Sequence, residues 1–209
     1  QLARALVAAE AERIQPLIAL NKSDLGDLFA RAWARLEPYR RMGYTVLPLN
    51  LKAPGCPAEL VALQMQLRDK ATLVLGPSGA GKSTLINRLV PGAQAQTGEI
   101  STALNSGKHT TTSTRWYWVD EARQTALIDS PGFQEFGLQH IEAAQLASLM
   151  PDLRTHAGAC RFYNCSHLHE PGCGVMAAVD ENSGGAGISP SRYRIYSELH
   201  AELSQAPRY

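Results

Sequence analysis

Residues 72–89 read TLVLGPSGAGKSTLINRL, and the architecture of the chain can be built outward from them. Gly76-Pro77-Ser78-Gly79-Ala80-Gly81-Lys82-Ser83 is a G-x-x-x-x-G-K-S loop between a short apolar strand and the start of a helix. The glycines let successive backbone N–H groups curl around phosphate oxygens, and the helix amino end adds partial positive charge. Lys82 is placed for the outer phosphates and the Ser83 hydroxyl for Mg²⁺. A chance glycine-rich turn would not be expected to have both strand and helix in register with it.

Outward from this loop, short apolar runs alternate with helical patterns. Leu2, Leu6, Val7 and Ile14 predict a helix over 1–14, and PLIAL at 16–20 a buried parallel strand ending at Asn21. A helix is expected over 27–42, with Leu28, Ala32, Trp33 and Leu36 on one face. Strand 45–49, helix 58–67, strand 71–75 and helix 82–89 follow. Residues 92–113 are rich in Gly, Ser and Thr, strands at 114–119 and 124–128 form a hairpin, and 141–150 is helical. The alternation predicts an α/β domain with a mainly parallel sheet covered on both faces. Composition shifts after Met150 toward Cys, His, Gly and Pro, with a flexible SGGAG tract at 183–187 and a helix over 190–203. The expected division is therefore 1–151 for the phosphate-binding domain and 152–209 for a small α-rich metal-binding domain.

Three further motifs share the chemistry of the loop. Asn21-Lys22-Ser23-Asp24 is an N-K-x-D box at a strand end. A carboxylate such as Asp24 can accept two hydrogen bonds from guanine, a pair that adenine does not offer, and the unpaired buried groups left by the wrong base are costly. By itself the box also suits a solvated turn with an Asp cap. Asp129-Ser130-Pro131-Gly132 is a D-x-x-G motif, in which Asp129 can hold Mg²⁺ through water and the Gly132 N–H can meet a γ phosphate. Between loop and D-x-x-G lies Gly107-Lys108-His109-Thr110-Thr111-Thr112; one of the threonines Thr110, Thr111 and Thr112 can complete the Mg²⁺ shell, and spacing does not choose among them. The base box precedes the phosphate loop, whereas in ordinary GTPases it follows. Circular permutation keeps such a site, because chain termini lie at the surface and often close together.

Phe133 follows Gly132 where many GTPases carry a Gln or His that orients water. Either hydrolysis is slow or another group supplies that role. His109 is the polar candidate, since an imidazole titrates near neutrality, and an ordinary solvated loop histidine fits the sequence equally.

Cys160, Cys165, His167 and Cys173 form C-x4-C-x-H-x5-C. Four such ligands within fourteen residues can wrap one structural zinc ion, with His169 as a competing ligand. The residues around them cannot build a core alone, so a metal staple is expected. Clustered cysteines favour a metal over a disulfide framework and a reducing, cytoplasmic setting. Cys56 stands alone and reads as structural.

The chain has 209 residues and a formal net charge of +1, which makes no case for a whole-chain electrostatic grip on nucleic acid. Nothing approaches the run of about 18 apolar residues that spans a membrane. After Pro151 the arginines Arg154, Arg161, Arg192, Arg194 and Arg208 are offset by six acidic residues, a mixed surface. Phe162 and Tyr163 could stack on a base or simply cover the metal.

The order NKSD, GPSGAGKS, GKHTTT, DSPG, CRFYNCSHLHEPGC, with the tail SPSRYRIYSEL, resembles the ribosome small-subunit-dependent GTPase A family over essentially the whole chain. The resemblance implies a circularly permuted GTPase that turns over slowly alone and faster on the small ribosomal subunit, late in that subunit's maturation. It implies an upstream OB-fold, a GTPase domain and a zinc finger, with the small subunit and its rRNA as partners and a monomeric, cytoplasmic protein. Carried over by motif, Asn21, Lys22 and Asp24 read guanine, while Gly76, Pro77, Ser78, Gly79, Ala80, Gly81, Lys82, Ser83 and Thr84 hold GTP or GDP with Mg²⁺. The zinc ligands become Cys160, Cys165, His167 and Cys173. Lys82 and His109 are the catalytic candidates, and a non-polar residue at Phe133 fits the family. The other expectation kept is a guanine-nucleotide-stabilised module that binds RNA or protein with little turnover.

Two positions depart from the pattern. Leu49-Asn50-Leu51 stands where a Ser-Ala pair usually helps hold the base, which puts affinity in question more than selectivity. Gly79 stands where some permuted GTPases carry a potassium-binding Asn, so no potassium dependence is expected. The chain opens on Gln1, with no OB-fold before it and no counterpart of a central strand expected ahead of the first helix. It is therefore expected to be part of a longer protein.

Overall fold

The computed structural model describes residues 1–95, 114–130, 137–180 and 187–205. The chain divides into two compact units that are not contiguous in sequence. One comprises Leu17–Glu37 and Thr45–Glu135, and the other Gln1–Pro16, Pro38–Tyr44 and Phe136–Tyr209.

In the first of these, β1 (Leu17–Leu20) pairs in parallel with β2 (Thr45–Pro48), and β3 (Ala71–Val74) pairs in parallel with β5 (Ala126–Asp129). The remaining strand, β4 (Arg115–Trp118), joins β5 antiparallel as a hairpin. The order is β1-β2 in one sheet and β3-β5-β4 in another, so β1 and β3 share no ladder. α4 (Ala58–Leu67) and α5 (Lys82–Leu89) cover one face. There Leu60, Leu63, Leu67, Ile86 and Leu89 close over Leu127 of β5, which has no exposed surface. Each such side chain stabilises the fold by about 1.5–3 kcal/mol relative to an exposed position. The period of two along β5 then sends Asp129 to the same face as Leu127, at the strand's carboxyl end.

Several expected elements differ. The helix over 27–42 is two helices, α2 (Asp27–Ala34) and α3 (Glu37–Arg41). Pro38 cannot donate to the preceding turn, so it sits at the start of a new helix. The apolar face expected on the first is not a core face: α2 buries no side chain and Leu28 is 60 % exposed, although Leu36 beyond it is buried. Helical spacing alone cannot say whether anything lies opposite.

The second unit packs helices on one another. α1 (Leu2–Ala11) buries Ala3, Leu6, Val7 and Ala8, and it stops before Ile14, which is exposed beyond Arg13 in the left-handed region (φ 56°). The stretch expected as helix over 141–150 is a 3₁₀ segment, Ala143–Leu149, and α6 (Pro151–Ala157) and α7 (Gly174–Ala177) add helices the periodicity did not announce. Seven residues or fewer hold too few periodic positions to read. Pro151 at the start of α6 supplies the stop and start between them. α8 (Pro190–Gln205) presents Arg192, Tyr196 and Leu199 inward at i, i+4 and i+7. Tyr196 and Leu199 meet Val7, Leu146, Met150, Leu153 and Val175 in one core. Arg192 makes a forked ion pair with Asp152 (2.8 and 3.1 Å) and lies 5.1 Å over the Tyr39 ring, so segment 38–44 is held against α6 and α8.

Candidate functional site

The phosphate loop forms between β3 and α5, where sequence places it. Gly76, Gly79 and Gly81 have φ of 156°, 74° and 106°. Gly81 suits its position because L side chains rarely adopt a φ of 106°, and a Cβ there would also come 2.5 Å from Asn21 Nδ2. Asn21 is thus packed on the loop from the base box. Its Nδ2 donates to the Ala80 carbonyl (3.1 Å), and its Oδ1 accepts from the Leu51 N–H (3.2 Å). One amide side chain therefore ties together the carboxyl end of β1, the phosphate loop and the segment after β2. The Ser23 N–H donates to Leu49 O (3.0 Å), a second tie between the base box and that segment.

Leu49-Asn50-Leu51, the departure noted above, has its own order. Asn50 Oδ1 accepts from the N–H groups of Lys52 and Ala53 (3.1 and 3.2 Å), and Leu49 and Leu51 are buried. Motif reading named Asn50 but missed these bonds; an Asn before a Pro-Gly turn is the local signal for such a self-bonded loop.

Lys82 crosses its own loop. Its ammonium donates to Gly76 O (2.7 Å) and Pro77 O (3.1 Å). Burial lowers its pKa, and the charge of Asp129 opposes that shift. Asp129 is 7 % exposed; burial raises its carboxyl, opposed by Lys82 and Arg115. The adjacent Ser130 hydroxyl donates to Val74 O (3.0 Å) and fixes the turn leaving β5 to the end of β3. The structure thus gathers Asn21, the loop 76–84 and Asp129 at strand carboxyl ends, the usual ligand position of open parallel sheets. Lys22 is held in the left-handed region (φ 69°), and Asp24 is exposed in the short 3₁₀ turn that follows. His109, Thr110, Thr111, Thr112, Gly132 and Phe133 lie outside the described residues.

The second unit holds a separate centre. The ligand atoms of Cys160, Cys165, His167 and Cys173 all lie within 4.8 Å of one another. Cys160 Sγ is 3.8 Å from Cys173 Sγ, and His167 Nδ1 is 3.4 and 3.5 Å from those two sulfurs. A tetrahedron with bonds of about 2.3 Å to sulfur and 2.0–2.1 Å to nitrogen has edges of about 3.8 and 3.5 Å. The four side chains therefore fit one tetrahedral metal ion. His169 is exposed and stands outside the group.

Burial acts on three of the four groups. Burial, with Cys173 and Cys160 alongside, pushes the Cys165 thiol up to about 12. Burial also acts against the Cys160 thiolate, but N–H groups of Val175 and Gly174 outweigh it and bring that thiol down. Burial lowers the His167 pKa, which keeps the imidazole neutral and free to ligate. A bound cation favours the thiolate over the thiol, so metal binding at these sulfurs releases protons. Gly174 is required by space, since a Cβ there would sit 2.6 Å from His156 O.

Two partners of this centre come from α8, far along the chain. The Tyr193 hydroxyl donates to His167 O (2.8 Å) and the Tyr196 hydroxyl to Ser166 O (2.7 Å). Their i, i+3 spacing is legible in the sequence, but their target is not.

A strand–loop–helix phosphate site with its base box placed ahead of it in the chain defines a circularly permuted P-loop GTPase fold, here with a Cys3His cluster near the carboxyl end. Two solved structures share it. One, described as YloQ, a circularly permuted GTPase, matches with TM-score 0.73 and 31% identity over 100% of this chain and 64% of that one. YjeQ from Thermotoga maritima matches with TM-score 0.77 and 26% identity over 99% and 66%. The RsgA GTPase family model matches residues 1–139, and the chain belongs to that family. Its relatives include the small ribosomal subunit biogenesis GTPase RsgA of Variovorax paradoxus (strain S110), 71% identical over 99% of this chain and 64% of the relative. That of Paraburkholderia phytofirmans is 50% identical over 99% and 65%. The chain thus spans about two thirds of the length of these relatives.

Proposed function

We propose that this chain binds GTP and GDP with Mg²⁺, hydrolyses GTP, and acts in late maturation of the small ribosomal subunit, with that subunit and its rRNA as stimulating partners. The observation that carries the nucleotide reading is the Asn21 bridge from the base box to Ala80 of the phosphate loop. The ribosomal part is supported by the names of the full-length relatives, small ribosomal subunit biogenesis GTPases.

In this reading Asp24 pairs with guanine, while Asn21 and Lys22 shape the base pocket. Asn21 does so through the bonds it makes to Ala80 and Leu51. The N–H groups of the loop and the Lys82 ammonium receive phosphate oxygens, which take the place of the Gly76 and Pro77 carbonyls on Lys82. Ser83, Asp129 and one of Thr110, Thr111 and Thr112 hold Mg²⁺, which neutralises phosphate charge when bound. Gly132 is assigned to the last phosphate, and His109 is the candidate to hold or move a proton at the attacking water. Cys160, Cys165, His167 and Cys173 hold one structural Zn²⁺.

The same reading divides the chain by chemistry at 151/152. It also places the protein in the cytoplasm as a monomer. No described helix is long and apolar enough to cross a membrane.

The test is GTP turnover by the full-length protein with and without purified small subunits, with Lys82→Ala as control. Stimulation that is lost in the Lys82 variant supports the reading. Nucleotide binding without stimulation sinks the ribosome-coupled part and leaves a binding module.

A further inference from the structure

The turn that carries His167 is held in an unfavourable shape. His167 has φ of 60°, in the left-handed region that non-glycine residues enter at a cost of roughly 1–2 kcal/mol. Some group must fix it there, and the donors of the turn converge on one that is not a ligand. Glu170 Oε1 accepts from the Ser166 N–H (2.8 Å), and Oε2 accepts from the N–H groups of Leu168 and His169 (both 3.3 Å). The Cys165 sulfur lies 3.6 Å from the same Oε2. The acceptors of the turn go elsewhere, Ser166 O to Tyr196 and His167 O to Tyr193. The donors to Glu170 thus lie on both sides of the strained residue.

We propose that Glu170 is the positioning residue of the metal site: its carboxylate gathers the N–H groups of residues 166, 168 and 169 and so presents His167 Nδ1 to the cysteine sulfurs. This rests on the metal reading of the Cys3His group. Glu170 lies outside the tetrahedral set; it acts on the turn through three backbone N–H groups and also meets the Cys165 sulfur directly. A side chain can serve this way because a carboxylate accepts several N–H bonds at once with charge assistance, which no neutral side chain matches. Outer-shell groups that orient ligands are worth about 10–100-fold in metal affinity.

The experiment compares the parent chain with Glu170→Gln and Glu170→Ala, each loaded with one Zn²⁺. Zinc affinity is read by competition with a chromophoric chelator, and ligand geometry by the Co²⁺-substituted absorption spectrum. Glu170→Ala is expected to weaken zinc about 10–100-fold, and Glu170→Gln, which keeps one acceptor oxygen, by less. The tetrahedral thiolate bands of the Co²⁺ form persist, amide exchange at 166, 168 and 169 accelerates in the zinc-loaded protein, and the metal-free unfolding midpoint stays at the parent value. A purely structural residue would instead shift the metal-free midpoint and leave the chelator competition alone. Zinc affinity of Glu170→Ala within about twofold of the parent overturns the proposal, well below the outer-shell range. Should that variant fail to fold, unchanged affinity in Glu170→Gln overturns it and weakened affinity upholds it. A parent chain that takes up no zinc removes the metal reading itself, an outcome distinct from any difference between variants.

Discussion

The phosphate loop and the metal centre solve the same problem, holding charge at a fixed place, with opposite materials. The loop uses backbone: left-handed glycines, carbonyls that rest on Lys82, and a helix start. Its groups are consecutive in sequence, and among the described residues Asn21 and Asp129 reach in from elsewhere. The metal centre uses side chains, and its backbone must be tied down by further side chains, Glu170 from within and Tyr193 and Tyr196 from α8. A site made of backbone is written in one stretch of sequence. One made of side chains needs a scaffold that the motif does not contain.

That contrast can be broken most forcefully at the metal. Cys173→Ser, or excess chelator, is expected to remove bound zinc and cost the metal-bearing half several kcal/mol, given roughly 10–16 kcal/mol of apparent zinc binding in small metal domains. Loss of near-ultraviolet dichroism with retained nucleotide binding would show that the halves stand on separate supports; simultaneous loss of both would refute that separation. Lys82→Ala comes next. Removing a charged partner of phosphate costs about 3 kcal/mol, or about 100-fold in GTP affinity, with zinc content unchanged. A fluorescent-nucleotide titration beside a zinc assay checks it.

Finer tests fall on the base box. Asp24→Asn is expected to lower the preference for GTP over ATP by about 2 kcal/mol, close to 30-fold, in a competition titration. Asn21→Ala removes two hydrogen bonds that join three segments, so GTP binding should weaken by about tenfold with guanine preference largely kept. Equal loss for both nucleotides would support Asn21 as a bridge, and selective loss of GTP would make it a direct reader of the base. The smallest effect is expected at Leu28→Ala on α2, within about 0.5 kcal/mol by thermal melt, because that side chain is exposed. A larger loss would mean that the face expected from periodicity has a partner after all.

Legibility followed these materials. Helices 58–67 and 82–89 and the hairpin of β4 and β5 could be placed from pattern because each is long enough, or bounded sharply enough, to show its period. The break at Pro38 was readable in principle and was overridden by the apolar spacing around it. α6 and α7 are too short to announce themselves, and the 3₁₀ form of 143–149 shares its pattern with an α-helix. At the metal, spacing named the cysteines but left His167 and His169 open; the left-handed turn at His167 carries its ring inward and leaves His169 in solvent.

By itself the sequence determined the permuted order of motifs, the phosphate loop between strand and helix, and a four-ligand metal cluster. Those properties follow from bonded neighbours, whose geometry is set by residue type and spacing. Only the tertiary structure decided which distant groups meet. It placed Asn21 against Gly81, Arg192 against Asp152 and Tyr39, and the hydroxyls of α8 on the carbonyls of the metal turn. It also left the apolar side of α2 without a core. Contacts across tens of residues depend on how whole elements pack, and no local spacing records that.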